Sequence, residues 1–472
     1  MRKKFLSVVL VSTMAASLLA GCGGKNDETK DADNKKTTES KTEAGTGGET
    51  GTEAPKEAGK IEAPSTDGWD DSKKIYAYSW DDDFKKVLDI ILDKYPEYKK
   101  YVGYVNLGCP SEESIEKITQ AFESDKYPSL IPSDIGTAKY WTEDDELTLD
   151  LKSIGITEDM FAADYDYALQ YAKFGDEIKG VTWQSTAGSV FYRRDIAKKV
   201  LGTDEPEKVQ EAISDWDKFF ETAEKLKGAG YKIVNGVDEV YYAIINAHKD
   251  PWIIDDGETE TLKFDDSVKT YLETAKKLYD GEYTNNGTMW QGDWNSNHAD
   301  SGNVFCYFAC PWRIGGFYDN GATAGNWGAC VGPQSYFWGG TYVTVGKDTP
   351  NPDLCAFLCY EMAFDPEIGV EITNKKSDAV VNKEANERLK TELDSDNNQG
   401  VKLFNGQNPY EVWADAAEGI DQSASTYQDK NYEAFIKEAS QKFNQGEIKS
   451  VEDAIKYVED KSEKELKIPA AK

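Results

Sequence analysis

Apolar positions along the chain switch between the spacing of strands and the spacing of helices from about residue 74 onward. Residues 74–80 and 101–106 are short apolar runs that predict strands. Between them, apolar side chains recur at helical spacing: Phe84, Val87, Leu88, Ile91 and Tyr95. Ser111 opens a second helical pattern that ends before Tyr127-Pro128. Strand, helix, strand and helix in this rhythm predict an α/β lobe with a largely parallel sheet.

The rest of the chain carries further helical patterns. Capping boxes at Ser214-x-x-Asp217 and Ser450-x-x-Asp453 predict helix starts. Helices are predicted at residues 268–279, 352–364, 432–443 and 451–466. No repeat of fixed period is present in the sequence, which argues against solenoids and propellers.

The N-terminal residues follow a different pattern. Three basic residues precede an uncharged, mostly apolar run over residues 5–20, which is too short for a typical membrane span and ends in Leu19-Ala20-Gly21-Cys22. The four residues resemble a bacterial lipobox, so we predict a lipoprotein signal peptide at 1–21 and a lipidated Cys22 that anchors the chain to the cell membrane, facing outward. The alternative is a plain secretory signal with an incidental cysteine. Residues 22–68 are polar and predict a disordered tether.

Composition excludes several classes of function. The 472 residues include 86 acidic and 54 basic ones, and a net charge of −32 excludes binding of nucleic acid through a basic surface. The two histidines, His248 and His298, leave little material for a Ser-His-Asp triad or a histidine metal site. Near matches to a phosphate loop at 340–347 and a calcium loop at 394–400 lack required residues. We therefore expect neither a cofactor nor a metal.

Six cysteines remain beyond Cys22, and the sequence does not select among their 15 possible pairings. Cys355 and Cys359 are four residues apart on the apolar face of a predicted helix. We predict buried free thiols, with a Cys306–Cys330 bridge between neighbouring strands as the alternative.

Several segments together resemble the maltose-binding-protein-like family of extracellular solute-binding proteins, which serve carbohydrate ABC importers. The match covers nearly everything after the tether, although Ala309-Cys310 replaces the family's usual glycine. The matching segments are residues 76–96, 180–193, 215–219, 302–315 with Cys310-Pro311-Trp312, and 352–367.

The resemblance implies a periplasmic-binding-protein-like fold, with two α/β lobes joined by crossing strands around a ligand cleft. The first lobe is placed at 69–183 with 344–400, and the second at 187–340 with 405–467. The implied function is non-enzymatic. A monomer would capture a sugar or oligosaccharide by closure of the lobes and hand it to the permease subunits of an ABC transporter.

A sugar site needs flat aromatic platforms and planar hydrogen-bonding side chains. Tryptophans beside turn residues and at the crossings are candidates, as are Trp252, Trp290 and Trp294 in a turn-rich segment. The ligand-binding residues that we predict are Trp80, Asp81, Asp82, Asp134, Trp183, Gln184, Arg193, Trp252, Trp294, Trp312 and Trp338. For Asp81 a helix cap is an equal alternative, and for Arg193 a salt bridge is the main alternative.

The sequence also permits other functions. The negative charge permits a non-sugar solute such as a peptide or a polyamine. A lipid-anchored glycoside hydrolase would also use aromatic residues and carboxylates, and a surface adhesion module would need no small ligand.

Overall fold

The computed structural model describes residues 59–471. The predicted signal peptide, Cys22 and the tether up to residue 58 lie outside the described residues. Residues 59–68 are described. There the Tyr98 hydroxyl donates to the Pro64 carbonyl at 2.6 Å, and Ile61 packs against the core. The chain is thus in contact with the core before Trp69.

Eleven strands are present in the described residues. They are β1 (Ile75–Ser79), β2 (Val102–Asn106), β3 (Pro128–Ser133), β4 (Lys173–Phe174), β5 (Glu177–Ile178), β6 (Ser189–Arg193), β7 (Ile253–Asp255), β8 (Glu260–Leu262), β9 (Cys306–Ala309), β10 (Trp327–Cys330) and β11 (Tyr342–Val345).

Eighteen α-helices surround these strands in the same part of the chain. They are α1 (Asp83–Lys94), α2 (Ser111–Ala121), α3 (Ile135–Thr142), α4 (Asp166–Ala172), α5 (Arg194–Leu201), α6 (Pro206–Ala212), α7 (Trp216–Gly228), α8 (Tyr241–Ile245), α9 (Asp266–Asp280), α10 (Gly292–Ser296), α11 (Ile314–Asp319), α12 (Pro352–Phe364), α13 (Pro366–Lys376), α14 (Lys383–Glu392), α15 (Gln399–Leu403), α16 (Pro409–Glu418), α17 (Asp429–Asn444) and α18 (Val451–Lys461).

Two main sheets organise the fold. The first has the order β11-β3-β1-β2, in which β1 is parallel to both β2 and β3, and β11 is antiparallel to β3. This arrangement confirms the predicted α/β sheet. The second has the order β10-β6-β9 with antiparallel neighbours. Two-stranded pairs, β4-β5 and β7-β8, lie outside the two main sheets.

The chain passes between the two sheets along adjacent segments. Residues 181–187 lead from the edge of the first sheet to β6, and residues 337–341 return to β11. Antiparallel bridges at Val181–Val343 and Ala187–Phe337 hold the two passages together, and a third bridge joins Gln184 to Val380. These crossing segments confirm the predicted fold class.

One of the two predicted capping boxes is correct. The Ser450 hydroxyl accepts the backbone N–H of Asp453 at 3.1 Å and caps α18. At α7 the cap is Asp215, not Ser214. Its carboxylate accepts the Lys218 N–H at 2.8 Å, because the extended backbone of Asp215 places that side chain over the first turn.

The six described cysteines are free thiols, and all except the half-buried Cys109 are buried. Cys355 and Cys359 lie inside α12 as predicted. No helix within residues 59–471 combines the length and the apolar composition of a membrane span.

Candidate ligand-binding site

Four tryptophans from separate parts of the chain form one cluster, which we call the aromatic platform: Trp290, Trp294, Trp312 and Trp338. The rings of Trp290 and Trp312 are nearly parallel, at 7° with centroids 6.1 Å apart. Trp338 lies 5.5 Å from Trp312 and 6.0 Å from Trp290, and Trp294 lies 5.0 Å from Trp290. The platform unites Trp294, Trp312 and Trp338 of the predicted set.

The platform lies against the returning passage between the sheets. Trp312 follows β9 through Cys310-Pro311, and its indole N–H points to the Trp338 carbonyl oxygen, with an N–O distance of 3.4 Å. The next residue, Gly339, has a φ of +87°, and a Cβ at this position would lie 3.4 Å from that indole nitrogen. Glycine thus allows the passage to turn closely beneath the Trp312 ring.

Two of the four rings are open to solvent. Trp290 is 44% exposed and Trp312 is 37% exposed, whereas Trp294 and Trp338 are buried. Trp290 also has a φ of +70°, a conformation that costs a bulky residue about 1–3 kcal/mol. Strained backbone that presents a large exposed ring is a feature of binding sites.

A buried cation supports the platform from within. The Arg313 guanidinium carbon lies 4.5 Å from the ring centroid of Trp290 and 4.8 Å from that of Trp294. Its Nε and Nη2 atoms are buried and have no hydrogen-bond partner among the described residues. Beneath Trp294, the Glu239 carboxylate accepts the indole N–H at 2.6 Å, and burial holds the pKa of Glu239 well above its ordinary value.

The first sheet contributes carboxylates at the ends of its parallel strands. Asp134 follows β3, and its carboxylate accepts the Ser111 hydroxyl at 2.8 Å and the Gly136 N–H at 2.9 Å. Burial raises the pKa of Asp134. Asp81 follows β1 and accepts the Asp83 N–H at 2.9 Å, which supports the helix-cap interpretation. Burial likewise raises the pKa of Asp81.

The remaining candidates at this edge are Trp80 and Asp82. Trp80 is half-buried at the end of β1 and stacks on no aromatic ring within residues 59–471. Asp82 is exposed at the start of α1 and makes no capping hydrogen bond. Both lie at the carboxyl end of the parallel strands, away from direct contact with the platform rings.

A small cavity lies beside α3, the helix that follows Asp134. Its volume is about 70 Å³, and it lies between α3, α4, α8 and residues 422–433. Tyr242 lines the cavity and stacks on Trp338 of the platform, with centroids 5.0 Å apart. The cavity and the platform therefore share a wall.

Two predicted ligand contacts are structural residues. Trp252 is fully buried, donates to Asp265 at 3.3 Å and packs on Phe264, so it has no face open to a ligand. Arg193 is 1% exposed, and its guanidinium donates to the Asp195 carboxylate and to the backbone carbonyl of Ala299. The ligand-binding assignment of both residues is corrected to a packing role, and the salt-bridge alternative holds for Arg193.

Trp183 and Gln184 lie in the crossing segments instead of on a ligand surface. Both are buried, and both donate to the carboxylate of Asp378, at 3.2 Å and 3.1 Å. The Gln184 side-chain oxygen also accepts the Thr341 N–H at 3.2 Å. These bonds use the polar atoms of the two side chains to tie three crossing segments together, so a ligand contact is not supported.

Other residues of the site were not in the predicted set. Trp290 lies in the same turn-rich segment as Trp252, and no local sequence feature distinguishes the two. Arg313 directly follows Trp312, and this adjacency is a signal that sequence analysis could use. Tyr242 carries no sequence signal, because only the fold brings it to Trp338.

Metal binding has no support within the described residues. No group of three or more His, Cys, Asp or Glu side chains between residues 59 and 471 is arranged to hold a metal ion.

Comparison with known proteins places this geometry in a family. The family model described as bacterial extracellular solute-binding protein matches residues 98–387, which is more than half of the chain. No curated protein sequence gives a significant match.

Solved structures of low sequence identity share the fold. An extracellular solute-binding protein of family 1 aligns with a TM-score of 0.68 at 16% identity, covering 83% of this chain and 98% of that chain. The sugar-binding protein MalE from Xanthomonas citri gives 0.65 at 14% identity, with coverages of 82% and 94%. The galacto-N-biose-/lacto-N-biose I-binding protein of an ABC transporter from Bifidobacterium longum gives 0.64 at 15% identity, with coverages of 85% and 100%. Together with the family model, these matches confirm the resemblance found in the sequence, and the chain belongs to the bacterial extracellular solute-binding proteins.

Proposed function

We propose that the protein is an extracytoplasmic carbohydrate-binding protein that delivers a sugar or oligosaccharide to an ABC importer. It acts by binding and release, without making or breaking bonds in the ligand. Cys22 carries the lipid that holds the protein at the outer face of the cell membrane, and the folded part acts as a monomer.

The observation that carries this proposal is the exposed pair of parallel rings, Trp290 and Trp312, beside the passage between the two sheets. A sugar ring has an apolar C–H face that packs on an indole and hydroxyls that bond to planar polar groups. The half-buried Tyr242 stacks on Trp338 of the platform, and its hydroxyl, which donates to Glu433 at 2.9 Å, is a nearby polar group. Flat apolar surface and polar edge are thus both available.

The ligands of structurally similar proteins support the same class. The Xanthomonas citri protein is described as sugar-binding, and the Bifidobacterium longum structure contains lacto-N-biose. The alignment with this protein covers 94% of the Xanthomonas citri chain and 100% of the Bifidobacterium longum chain.

Closure of two lobes is the proposed mechanism. The first lobe comprises 69–183 with 344–400 and the second comprises 187–340 with 405–467, each built on one of the two main sheets. Ligand on the platform contacts both lobes only when they close, so binding shifts the population toward the closed state.

A thermal-shift screen against mono- and oligosaccharides, followed by calorimetry on the best ligand, tests the proposal. Ligand that binds only the native state raises the unfolding midpoint.

Trp312→Ala and Trp290→Ala are each expected to weaken binding of the best ligand by at least about 1 kcal/mol, which is roughly a fivefold loss of affinity. Ile254→Ala serves as the control, because Ile254 is 45% exposed in β7 and outside the platform.

Other outcomes identify other functions. If peptides or polyamines raise the midpoint and no saccharide does, the ligand class is wrong. If chromatography of saccharide incubated with the protein shows new products, the protein is a hydrolase. Unchanged ligand affinity in both tryptophan variants would show that the aromatic platform is not part of the ligand-binding site.

A further inference from the structure

A buried arginine lies against the rings of the aromatic platform. Arg313 is 9% exposed, and its guanidinium carbon lies 4.5, 4.8 and 5.7 Å from the ring centroids of Trp290, Trp294 and Trp312. All three distances fall within the range of about 6 Å over which a cation is attracted to an aromatic face, an attraction that is strongest for tryptophan. Three of the four platform rings thus surround one cation of the chain itself.

The surroundings of this cation are mainly aromatic. The Nε and Nη2 atoms of Arg313 are buried and form no hydrogen bond within residues 59–471. Glu239 and Asp319 act on the guanidinium favourably through space, but burial holds the pKa of Glu239 well above its ordinary value and so favours its uncharged form. Burial lowers the pKa of Arg313, yet an arginine keeps its charge at neutral pH. A lasting positive charge therefore lies against the platform.

A second buried arginine shows a different way to hold the same group. Arg194 is also 9% exposed, and its guanidinium donates to the backbone carbonyls of Trp327, Asp204 and Phe404 at 2.7, 3.0 and 3.2 Å. Carbonyl oxygens thus replace water around Arg194, whereas tryptophan faces take much of that place around Arg313.

The rings that hold Arg313 include the two that are open to solvent. Trp290 is 44% exposed and Trp312 is 37% exposed. A solute that stacks on these rings shares them with the guanidinium. Because the site is partly shielded from water, a second positive charge on the same rings is repelled more strongly than it would be in bulk solvent.

The rest of the molecule favours cations. A net charge of −32 raises the local concentration of positive solutes, and a cluster of four tryptophans is by itself an attractive surface for them. Arg313 opposes both effects at the platform. The apolar C–H face of a neutral sugar meets no such repulsion and keeps its stacking surface.

We propose that Arg313 is a specificity-determining residue of the platform. Its guanidinium occupies the position that the cation of a ligand would take among the tryptophans, and it thereby excludes polyamines and quaternary ammonium compounds while neutral solutes bind. Discrimination thus comes from a repulsive element next to an attractive surface. This inference rests on the proposed function in that the platform is the ligand-binding surface, and it narrows the ligand class to solutes without a positive charge.

Two small probes of similar size test the exclusion in the full-length protein. Tetramethylammonium carries a charge and cannot donate a hydrogen bond, whereas tert-butanol is neutral. NMR titration of the Trp290 and Trp312 indole N–H resonances gives the affinity of each probe, and the selectivity is the tetramethylammonium affinity divided by the tert-butanol affinity. We expect Arg313→Met to raise this selectivity at least about tenfold over the wild-type protein.

Control variants separate a charge effect from a structural one. Arg313→Lys keeps the charge and should keep a selectivity close to that of the wild-type protein. Arg194→Met removes a buried positive charge from a site held by backbone carbonyls and should also leave the selectivity unchanged. If Arg313 only supports the rings, Arg313→Met weakens both probes together, and an unchanged selectivity would overturn the proposal. An equal rise in Arg194→Met would overturn it as well, because net charge would then be the cause.

The wild-type protein provides a second measurement that does not depend on folding of the Arg313 variants. Tetramethylammonium should bind it more weakly than tert-butanol does. Tetramethylammonium binding that is as tight as that of tert-butanol, and that is lost in Trp312→Ala, would overturn the exclusion.

The exclusion and the proposed function fail in different ways. Tight binding of a polyamine on the platform alongside a saccharide would overturn the role of Arg313 and leave carbohydrate binding intact. If no saccharide binds but Arg313→Met still raises the selectivity, carbohydrate binding fails and the exclusion of cations stands.

Discussion

Unpartnered buried polar groups distinguish a few residues from the rest of the core. Most buried polar side chains here have a hydrogen-bond partner, as folded proteins require. Arg313 lacks an acceptor for two guanidinium nitrogens beside the aromatic platform, whereas Asp164 lacks a donor on both carboxylate oxygens in a fully buried position beside Asn382. Such groups lower the stability of the folded state.

Asp164 makes the stability of the protein depend on pH. Burial holds the pKa of Asp164 well above its ordinary value of 3.8, so the folded state keeps a proton that the unfolded state loses. The unfolded state therefore binds fewer protons above pH 4, and this group's contribution to the free energy of unfolding decreases as the pH rises.

Asp164→Asn tests that dependence. The variant is expected to gain about 1–3 kcal/mol over the wild-type protein at pH 8, and less at pH 4.5, in chemical denaturation. Asp166→Asn is the control, because the Asp166 side chain is 87% exposed and should show no pH-dependent gain. An equal gain at both pH values would show that Asp164 is not protonated in the folded state.

The cysteines give a second prediction at the residue scale. Five of the six described thiols are buried, and burial raises the pKa values of Cys306, Cys310 and Cys359 well above their ordinary value. A maleimide reagent should therefore label Cys109 in the native protein and the other five only after denaturation, as read by peptide mass spectrometry. A linked Cys306–Cys330 peptide would instead establish the disulfide alternative.

Neighbouring residues in the sequence point to some exposed tryptophans, but they do not reveal which others are buried. Trp312 follows a proline at the end of an apolar strand, and this context points correctly to an exposed ring. Trp252 and Trp290 lie in one turn-rich segment, yet the first is fully buried and the second is 44% exposed. Their exposure differs because Trp252 packs on Phe264, whereas Trp290 stacks on Trp312. The local sequence pattern does not show these tertiary contacts.

At the scale of elements, periodicity and capping predict much of the fold. Residues 352–364 are predicted as a helix and form α12 with the same bounds, and Ser450 caps α18 as predicted. The crossing segments are different, because their geometry depends on bridges between residues more than 150 positions apart, such as Val181–Val343. Sequence resemblance located them, whereas local periodicity did not.

The crossing passage also requires glycine at a second position, next to Gly339. Gly340 has a φ of +105°, and a Cβ at this residue would lie 3.1 Å from the Thr186 side chain. Gly340→Ala should therefore destabilise the protein by about 1–3 kcal/mol in chemical denaturation. Gly228→Ala is the matched control, since Gly228 is the last residue of α7 with no atom within 4 Å of its Cβ position, and alanine there should be neutral or stabilising by up to about 1 kcal/mol. Equal stability of Gly340→Ala and the wild-type protein would show that the passage accommodates a side chain.

At the scale of the whole molecule, charge and closure have separate roles. The net charge of −32 keeps the protein soluble and slows the approach of anions over long range. The closure that we propose would depend on contacts between the two proposed lobes. The Tyr140 ring on α3 lies 5.7 Å from the Tyr427 ring, and the Gln170 side chain on α4 accepts the Gln422 N–H at 2.8 Å.

Removal of one such contact should shift the protein toward an open form. Tyr427→Ala eliminates the ring contact with Tyr140, which is worth about 0.5–1.5 kcal/mol. The ligand-free variant should have a larger radius of gyration than the wild-type protein in solution scattering. It should also bind saccharide several-fold more weakly, because ligand must first restore the closed population.

Tyr457→Ala is the control, since the Tyr457 hydroxyl on α18 donates a hydrogen bond to Glu438 on the adjacent α17, within the same proposed lobe. If saturating saccharide leaves the radius of gyration of the wild-type protein unchanged, closure is not the mechanism, whatever the affinity of the variant.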